Sequence, residues 1–243
     1  GARDLQEFWE NIKAAKSAAA PVPGHRWVMP PKIAYQKEHQ PDRTYSKIAC
    51  LVDEAIHLDT EGLHVDPSVL ERLDPLFTMT LHAGKEAYSC AHMQNIARER
   101  IGVILAAIAL PTDGSSALTR ATLGDAFAKS INKELSFVWP HEISPPLSTD
   151  SLNGRVTALP AMLVAQALQL GGRAFTLDAA CASSLYAIKL ACDELREGRA
   201  DAMLTGGVSR PENLYTQIGF SQLKALSPSG RCAPFDQDAD GLV

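Results

Sequence analysis

The sequence predicts an α/β fold, a mostly parallel sheet with helices on its faces. Three observations carry that expectation. Helix-like and strand-like stretches alternate along the chain instead of clustering by type. Residues 174–205 read as strand, helix, strand, which implies two parallel strands joined by a right-handed crossover. Residues 100–106 form a further strand-length run, Ile101-Gly102-Val103-Ile104-Leu105-Ala106 after Arg100. It lacks polar alternation, as expected of a strand buried on both faces.

The elements follow in order. Residues 4–16 form an amphipathic helix with Leu5, Phe8, Trp9 and Ile12 along one face. Residues 20–47 are rich in Pro, Lys and His, show little periodicity and read as a long surface loop. Residues 50–58 fit a short helix or a strand equally. Asp66-Pro67 caps and starts a helix over 68–73. A longer helix is expected over 76–98, then the strand at 100–106, then a helix over 119–133. Pro140, Pro145 and Pro146 make 132–151 loop-like. Pro160 fits the first turn of a helix reaching residue 170, ended by Gly171-Gly172. A strand at 174–179, a helix at 183–198 and a strand at 202–205 complete the pattern.

Composition narrows the class. Of 243 residues, 46% are hydrophobic and 21% charged, with a net charge of -5. That suits a globular chain with a core of useful size and argues against general nucleic-acid binding. The longest apolar run, 103–110, is far shorter than a membrane span, and the N-terminal stretch is amphipathic and acidic, unlike a signal peptide. Neither nucleic acid nor a membrane is an expected partner. Cys50, Cys90, Cys181, Cys192 and Cys232 are odd in number and include no C-x-x-C pair, so reduced thiols in a cytoplasm are the simplest account. The start at Gly1 and the stop at Gly241-Leu242-Val243, which reads as the opening of an apolar strand, lead us to expect a fragment trimmed at both ends.

Cys181 is the candidate nucleophile. Phe175, Thr176 and Leu177 favour a strand, whereas Leu185, Ile188, Cys192 and Leu195 recur at helical spacing. Cys181 therefore lies where strand gives way to helix, with Ser183 as N-cap and Gly198 as the helix stop. Unpaired N–H groups and the positive end of a helix stabilise thiolate, and the same N–H groups can hold an oxyanion. The ordinary alternative is a small buried hydrophobe, which most cysteines are.

The stretch D-A-A-C-A-S-S-L, then A-D-A-M-L-T-G-G-V-S, then S-P-S-G-R-C-A-P-F-D-Q-D-A-D-G resembles the β-ketoacyl synthase family of condensing enzymes. The likeness runs in register over 153–243 and extends more weakly to Gly1, where G-A-R-D-L-Q-E-F-W-E-N-I resembles the first helix of that domain. Within the family it is nearest the synthases of polyketides and polyunsaturated fatty acids. Residues 20–65 and 76–100 match poorly. The resemblance implies a thiolase-like αβαβα sandwich of which residues 1–243 are the N-terminal half, with a first strand and the C-terminal half absent.

It also implies a chemistry. Cys181 would take an acyl chain from an acyl carrier protein, and its own N–H would form half of an oxyanion hole. A malonyl-type extender would then lose carbon dioxide and attack the acyl group. The family's two histidines for that step lie in H-G-T-G-T and N-x-K-x-x-x-G-H, and neither motif occurs here. All seven histidines precede Cys181 and none is promoted to a role. Phe220 falls at the family's acyl-pocket aromatic, or is ordinary core packing. Asp178 reads as a structural hydrogen-bonder, Cys192 and Cys232 as structural, and Phe235 and Asp236 as fixing a loop near the site. Lys85, Arg98, Arg100, Lys224 and Arg231 are potential contacts for an acidic carrier, with solvated charge as the default. No metal or redox cofactor is implied. His82 and His92 sit ten residues apart on one expected helix, too far to share an ion, and no thiol or acid joins His57 and His64. Family members are dimers, and the strand before Cys181 would pair across the two-fold. Two alternatives stand beside this reading: a thiolase-type or starter-unit enzyme using coenzyme A thioesters, and a catalytically silent fragment that binds a partner.

Overall fold

The computed structural model describes residues 2, 4–52, 58–135, 150–211 and 213–243. They divide into two compact units, one from the described residues of Gly1–Ala55 and Glu212–Val243, the other from those of Ile56–His141 and Pro145–Pro211. His57, His141 and the prolines at 140, 145 and 146 lie outside the described residues.

The second unit is α/β. Its sheet has β3 (Ile101–Ala107) in the middle, β4 (Ala174–Leu177) on one side and β5 (Ala202–Val208) on the other, all parallel. Val103 pairs with Ala174, and Ile101 with Ala202. The side chains of β3 divide by parity, as a pleated strand requires. Ile101, Val103 and Leu105 pack with α4 (Pro75–Cys90) and α6 (Leu159–Ala167), whereas Ile104 and Ala106 meet α7 (Ser183–Arg196). Both faces are covered, which accounts for the continuous apolar run in the sequence.

Several boundaries differ from expectation. The strand before Cys181 ends at Leu177, and the one after α7 extends to Val208. Helix α3 (Pro67–Leu70) starts at the proline, behind an Asp66 carboxylate that accepts the Ser68 N–H at 2.9 Å. Helix α4 stops at Cys90, eight residues early, because His92 adopts a left-handed conformation at φ 51°. His82 is therefore on the helix and His92 beyond it. Helix α5 (Asp113–Leu135) begins six residues early, at an acidic first turn. Gln169, with φ 55°, follows α6, so the two glycines after it do not end that helix. Gly172 serves another purpose: a Cβ there would collide with the Ile101 carbonyl group.

The face of α7 is a correction. The helical spacing of Leu185, Ile188 and Leu195 marks them as an apolar face, yet all three are exposed. Ser183, Ala187, Ala191 and Glu194 are the buried set. Small residues win because the helix lies close to the sheet: a Cβ on Gly207 would come within 3.2 Å of the Ser184 Cβ. Buried Glu194 accepts from Arg173 at 2.8 Å and from Arg199 at 2.9 Å, and these guanidiniums, Arg199 above all, hold its carboxyl below the usual range. Gly198, at φ 66°, ends the helix as expected.

The first unit holds α1 (Leu5–Lys13), capped by an Asp4 carboxylate that accepts the Glu7 N–H at 2.8 Å. Its apolar face is exposed. The expected surface loop over 20–47 is more ordered than its composition suggested. Strand β1 (Ala19–Pro21) pairs antiparallel with β2 (Ile48–Cys50), a short α2 (Pro31–Ala34) follows β1, and Tyr35 bridges to Thr44. Trp27, Ala34 and Leu214 of α8 (Asn213–Gln222) form a small core, with the Trp27 indole donating to Asn213 at 2.7 Å. Asp236 does fix its loop by accepting from Arg231 at 2.9 Å; Phe235 does not, because its ring is fully exposed.

Candidate active site

Cys181 occupies a tight elbow between β4 and α7. One turn of 3₁₀ helix, Ala180–Ala182, separates the strand from the helix. Ala180 is left-handed at φ 51°, a conformation that costs a non-glycine residue about 1 kcal/mol or more. Local hydrogen bonds hold it. Asp178 accepts the Ala180 N–H at 2.8 Å on one carboxylate oxygen and the Ala109 N–H at 2.9 Å on the other. Those two amides, Ala109 first, hold the Asp178 carboxyl below the usual carboxylate range. Asp178 is thus the structural hydrogen-bonder expected, and it links the elbow to the chain just beyond β3.

Ser183 is not the N-cap that its position suggested. Helix α7 starts at Ser183 itself, behind Ala182, which contributes no capping side chain. The Ser183 hydroxyl instead reaches backwards. It accepts the Ala179 N–H at 2.8 Å and donates to the Ala180 carbonyl at 2.6 Å. The Ala179, Ala180, Ala182 and Ser183 amides all donate within the elbow or to its neighbours.

Cys181 is exposed and opens onto a pocket of about 360 Å³. The end of β3 and the residue after it give Ala106 and Ile108, the elbow gives Ala180, the start of α7 gives Ser183 and Ser184, and the end of β5 gives Gly207, Val208 and Ser209. Ligands of parallel α/β sheets sit at the carboxyl ends of the strands, and this pocket is there. The bland reading of Cys181 as a buried hydrophobe is excluded by its exposure. Sequence reasoning placed Gly207 and Ser209 in the A-D-A-M-L-T-G-G-V-S stretch without assigning them to the site, and it missed Ala109; the C-terminal strand ends were the available signal.

The remaining residues sort simply. Phe220 is half-buried on α8 in the first unit. All five cysteines are free thiols, with Cys50, Cys90 and Cys232 exposed and Cys192 half-buried. Lys85 is tied to Asp59, Arg98 to Leu168 and Gln169, Arg100 to Asp201, and Arg231 to Asp236. Among the described residues no three His, Cys, Asp or Glu side chains gather as metal ligands. No helix among them is long and apolar enough to cross a membrane.

The sequence matches the family model of the β-ketoacyl synthase N-terminal domain over residues 1–243. The chain belongs to the β-ketoacyl synthase family. A solved keto synthase–chain length factor, PfaC, is 31% identical and superposes with a TM-score of 0.86, covering 98% of this chain and 26% of that one. The ketosynthase from module 6 of the bacillaene synthase of Bacillus subtilis is 26% identical with a TM-score of 0.70, over 99% of this chain and 35% of its own. A phenolphthiocerol/phthiocerol polyketide synthase of Mycobacterium tuberculosis is 30% identical over 98% of this chain. The chain spans 14% of that relative's length. The fold is therefore that of the N-terminal half of thiolase-like ketosynthases, and the relatives are ketosynthase regions of polyketide synthases.

Proposed function

We propose that Cys181 is the acyl-accepting nucleophile of a decarboxylative condensing enzyme. Its sulfur attacks the carbonyl of an acyl thioester presented by an acyl carrier protein. The oxyanion of the tetrahedral intermediate forms beside the Cys181 amide. The carrier's thiol leaves with a proton, and the acyl chain stays on sulfur as a new thioester. A malonyl-type extender then releases carbon dioxide, and its enolate carbon attacks that thioester, which forms the carbon–carbon bond and expels the Cys181 thiolate, which takes a proton from solvent. The 243 residues contain neither family histidine motif, so on this reading the chain alone accepts acyl groups and does not condense them.

One observation carries the reading: a solvent-accessible thiol at a braced strand-to-helix elbow, open to a pocket at the carboxyl ends of parallel strands. The family match and the polyketide synthase relatives support it. Phe220 is proposed as an acyl-chain contact, and Phe220→Ala should change which chain lengths load. A homodimer is proposed through β4, which has a partner on one side only among the described residues.

The test is acyl transfer. Incubation with an acyl thioester should add one acyl mass at Cys181, located by peptide mass spectrometry, and Cys181→Ala should add none. Acylation at other cysteines with Cys181 unmodified would count against the reading.

A further inference from the structure

A charge cluster, buried at Arg210 and Asp74 and half-buried at Asp113, stands behind one wall of the Cys181 pocket. Arg210, two residues past β5, is only 7% exposed. Its Nη1 donates to Asp113 Oδ2 at 2.9 Å and lies 3.9 Å from Asp74 Oδ1. Asp113 opens α5. Asp74 caps α4 by accepting the Leu76 N–H at 2.8 Å, and it also accepts the Gly114 N–H at 2.7 Å. The Asp74 N–H donates to Asn153 Oδ1 at 2.7 Å. One guanidinium therefore joins the end of β5 to the starts of two helices.

Arg210 also lines a cavity of about 10 Å³ together with Ala107, Ile108, Val208 and Ser209. Ile108, Val208 and Ser209 line the Cys181 pocket as well. The same three residues border both the sulfur and the arginine. Arg210 Nε has no hydrogen-bond partner among the described residues. A buried donor left unpaired is costly, and a buried ion pair contributes little net stability compared with an apolar replacement. What the cluster does supply is a fixed spacing of strand ends.

We propose that Arg210 is a positioning residue that sets the width of the acyl pocket. It braces the wall of Ile108, Val208 and Ser209 against Asp113 and Asp74. The inference rests on the acyl-accepting role of Cys181. It leads to a size-dependent effect, because the hydrogen bonds that hold the elbow run to Asp178 and Ser183, and none of them involves Arg210.

The experiment compares the chain with Arg210→Met, Arg210→Lys and Asp113→Asn. Mass addition at Cys181 is timed with iodoacetamide, with an acetyl thioester and with a decanoyl thioester of the same small thiol. Iodoacetamide and acetyl rates should stay within about twofold of the parent. Decanoyl loading should fall about tenfold or more in Arg210→Met and Asp113→Asn, and recover in part in Arg210→Lys. An unchanged decanoyl-to-acetyl ratio in folded variants overturns the proposal, as does a parallel loss with all three reagents. If Arg210→Met does not fold, Asp113→Asn decides. A parent chain that takes no acyl group at Cys181 from either thioester overturns the nucleophile assignment and this inference with it, a result distinct from an unchanged ratio.

Discussion

At the scale of single residues, the elbow that carries Cys181 is held by a few short hydrogen bonds around a left-handed alanine. Asp178 joins the elbow to Ala109, so its charge bears on folding as well as on geometry. Its carboxyl is held below the usual value in the folded chain. Its stabilising contribution is therefore complete above the unfolded value of about 4 and is lost as pH falls through the lower folded value. We predict that Asp178→Asn melts at a lower temperature than the parent, by a constant margin from neutral pH to about 5, and that the margin shrinks below about 4. Melting curves across that range check it; a margin that grows with acid would refute the role. Cys181 was legible in the sequence because strand-like and helix-like patterns meet at it. Ser183 was misread by one position: its residue type suits a cap, but only the backbone path shows that its hydroxyl turns back to the elbow.

At the scale of elements, glycines decide how closely neighbours approach. Gly172 passes the start of β3 with no room for a methyl group against backbone. Gly172→Ala should cost about 1–3 kcal/mol of stability, read as a lowered denaturant midpoint with an unchanged slope. Gly207 lies where β5 meets α7 and lines the Cys181 pocket. Gly207→Val should therefore suppress acyl loading of Cys181 more strongly than it lowers the melting temperature, since its bulk enters the pocket. Equal loading in a folded variant would show that the pocket is not used. The strand–helix–strand pattern was readable because each piece has its own periodicity. The packed face of α7 was not, because hydrophobicity marks Leu185 and Leu195 as core while the close sheet accepts only Ala187 and Ala191. The strand order β4-β3-β5 was also out of reach, since it brings together segments about seventy residues apart or more through contacts no local pattern encodes.

At the scale of the whole molecule, the two units rest on separate cores. Trp27 anchors the smaller one, which the sequence's proline-rich composition concealed. Trp27→Ala should destabilise the first unit by about 3–5 kcal/mol, and Trp27→Phe by less, since it keeps most of the packing and forfeits the bond to Asn213. Denaturant titration followed by hydrogen exchange in α8 would separate the two; equal losses would assign the whole effect to the hydrogen bond. The second unit's sheet carries a different consequence. Among the described residues β4 has a strand partner on one side only, and an open edge of that kind can pair with another extended chain, a second copy included. If copies pair through β4 as proposed, orderly twinning and fibrous clumping compete for one four-residue stretch. On that proposal, dilution history, more than thermal stability, decides which form a preparation contains.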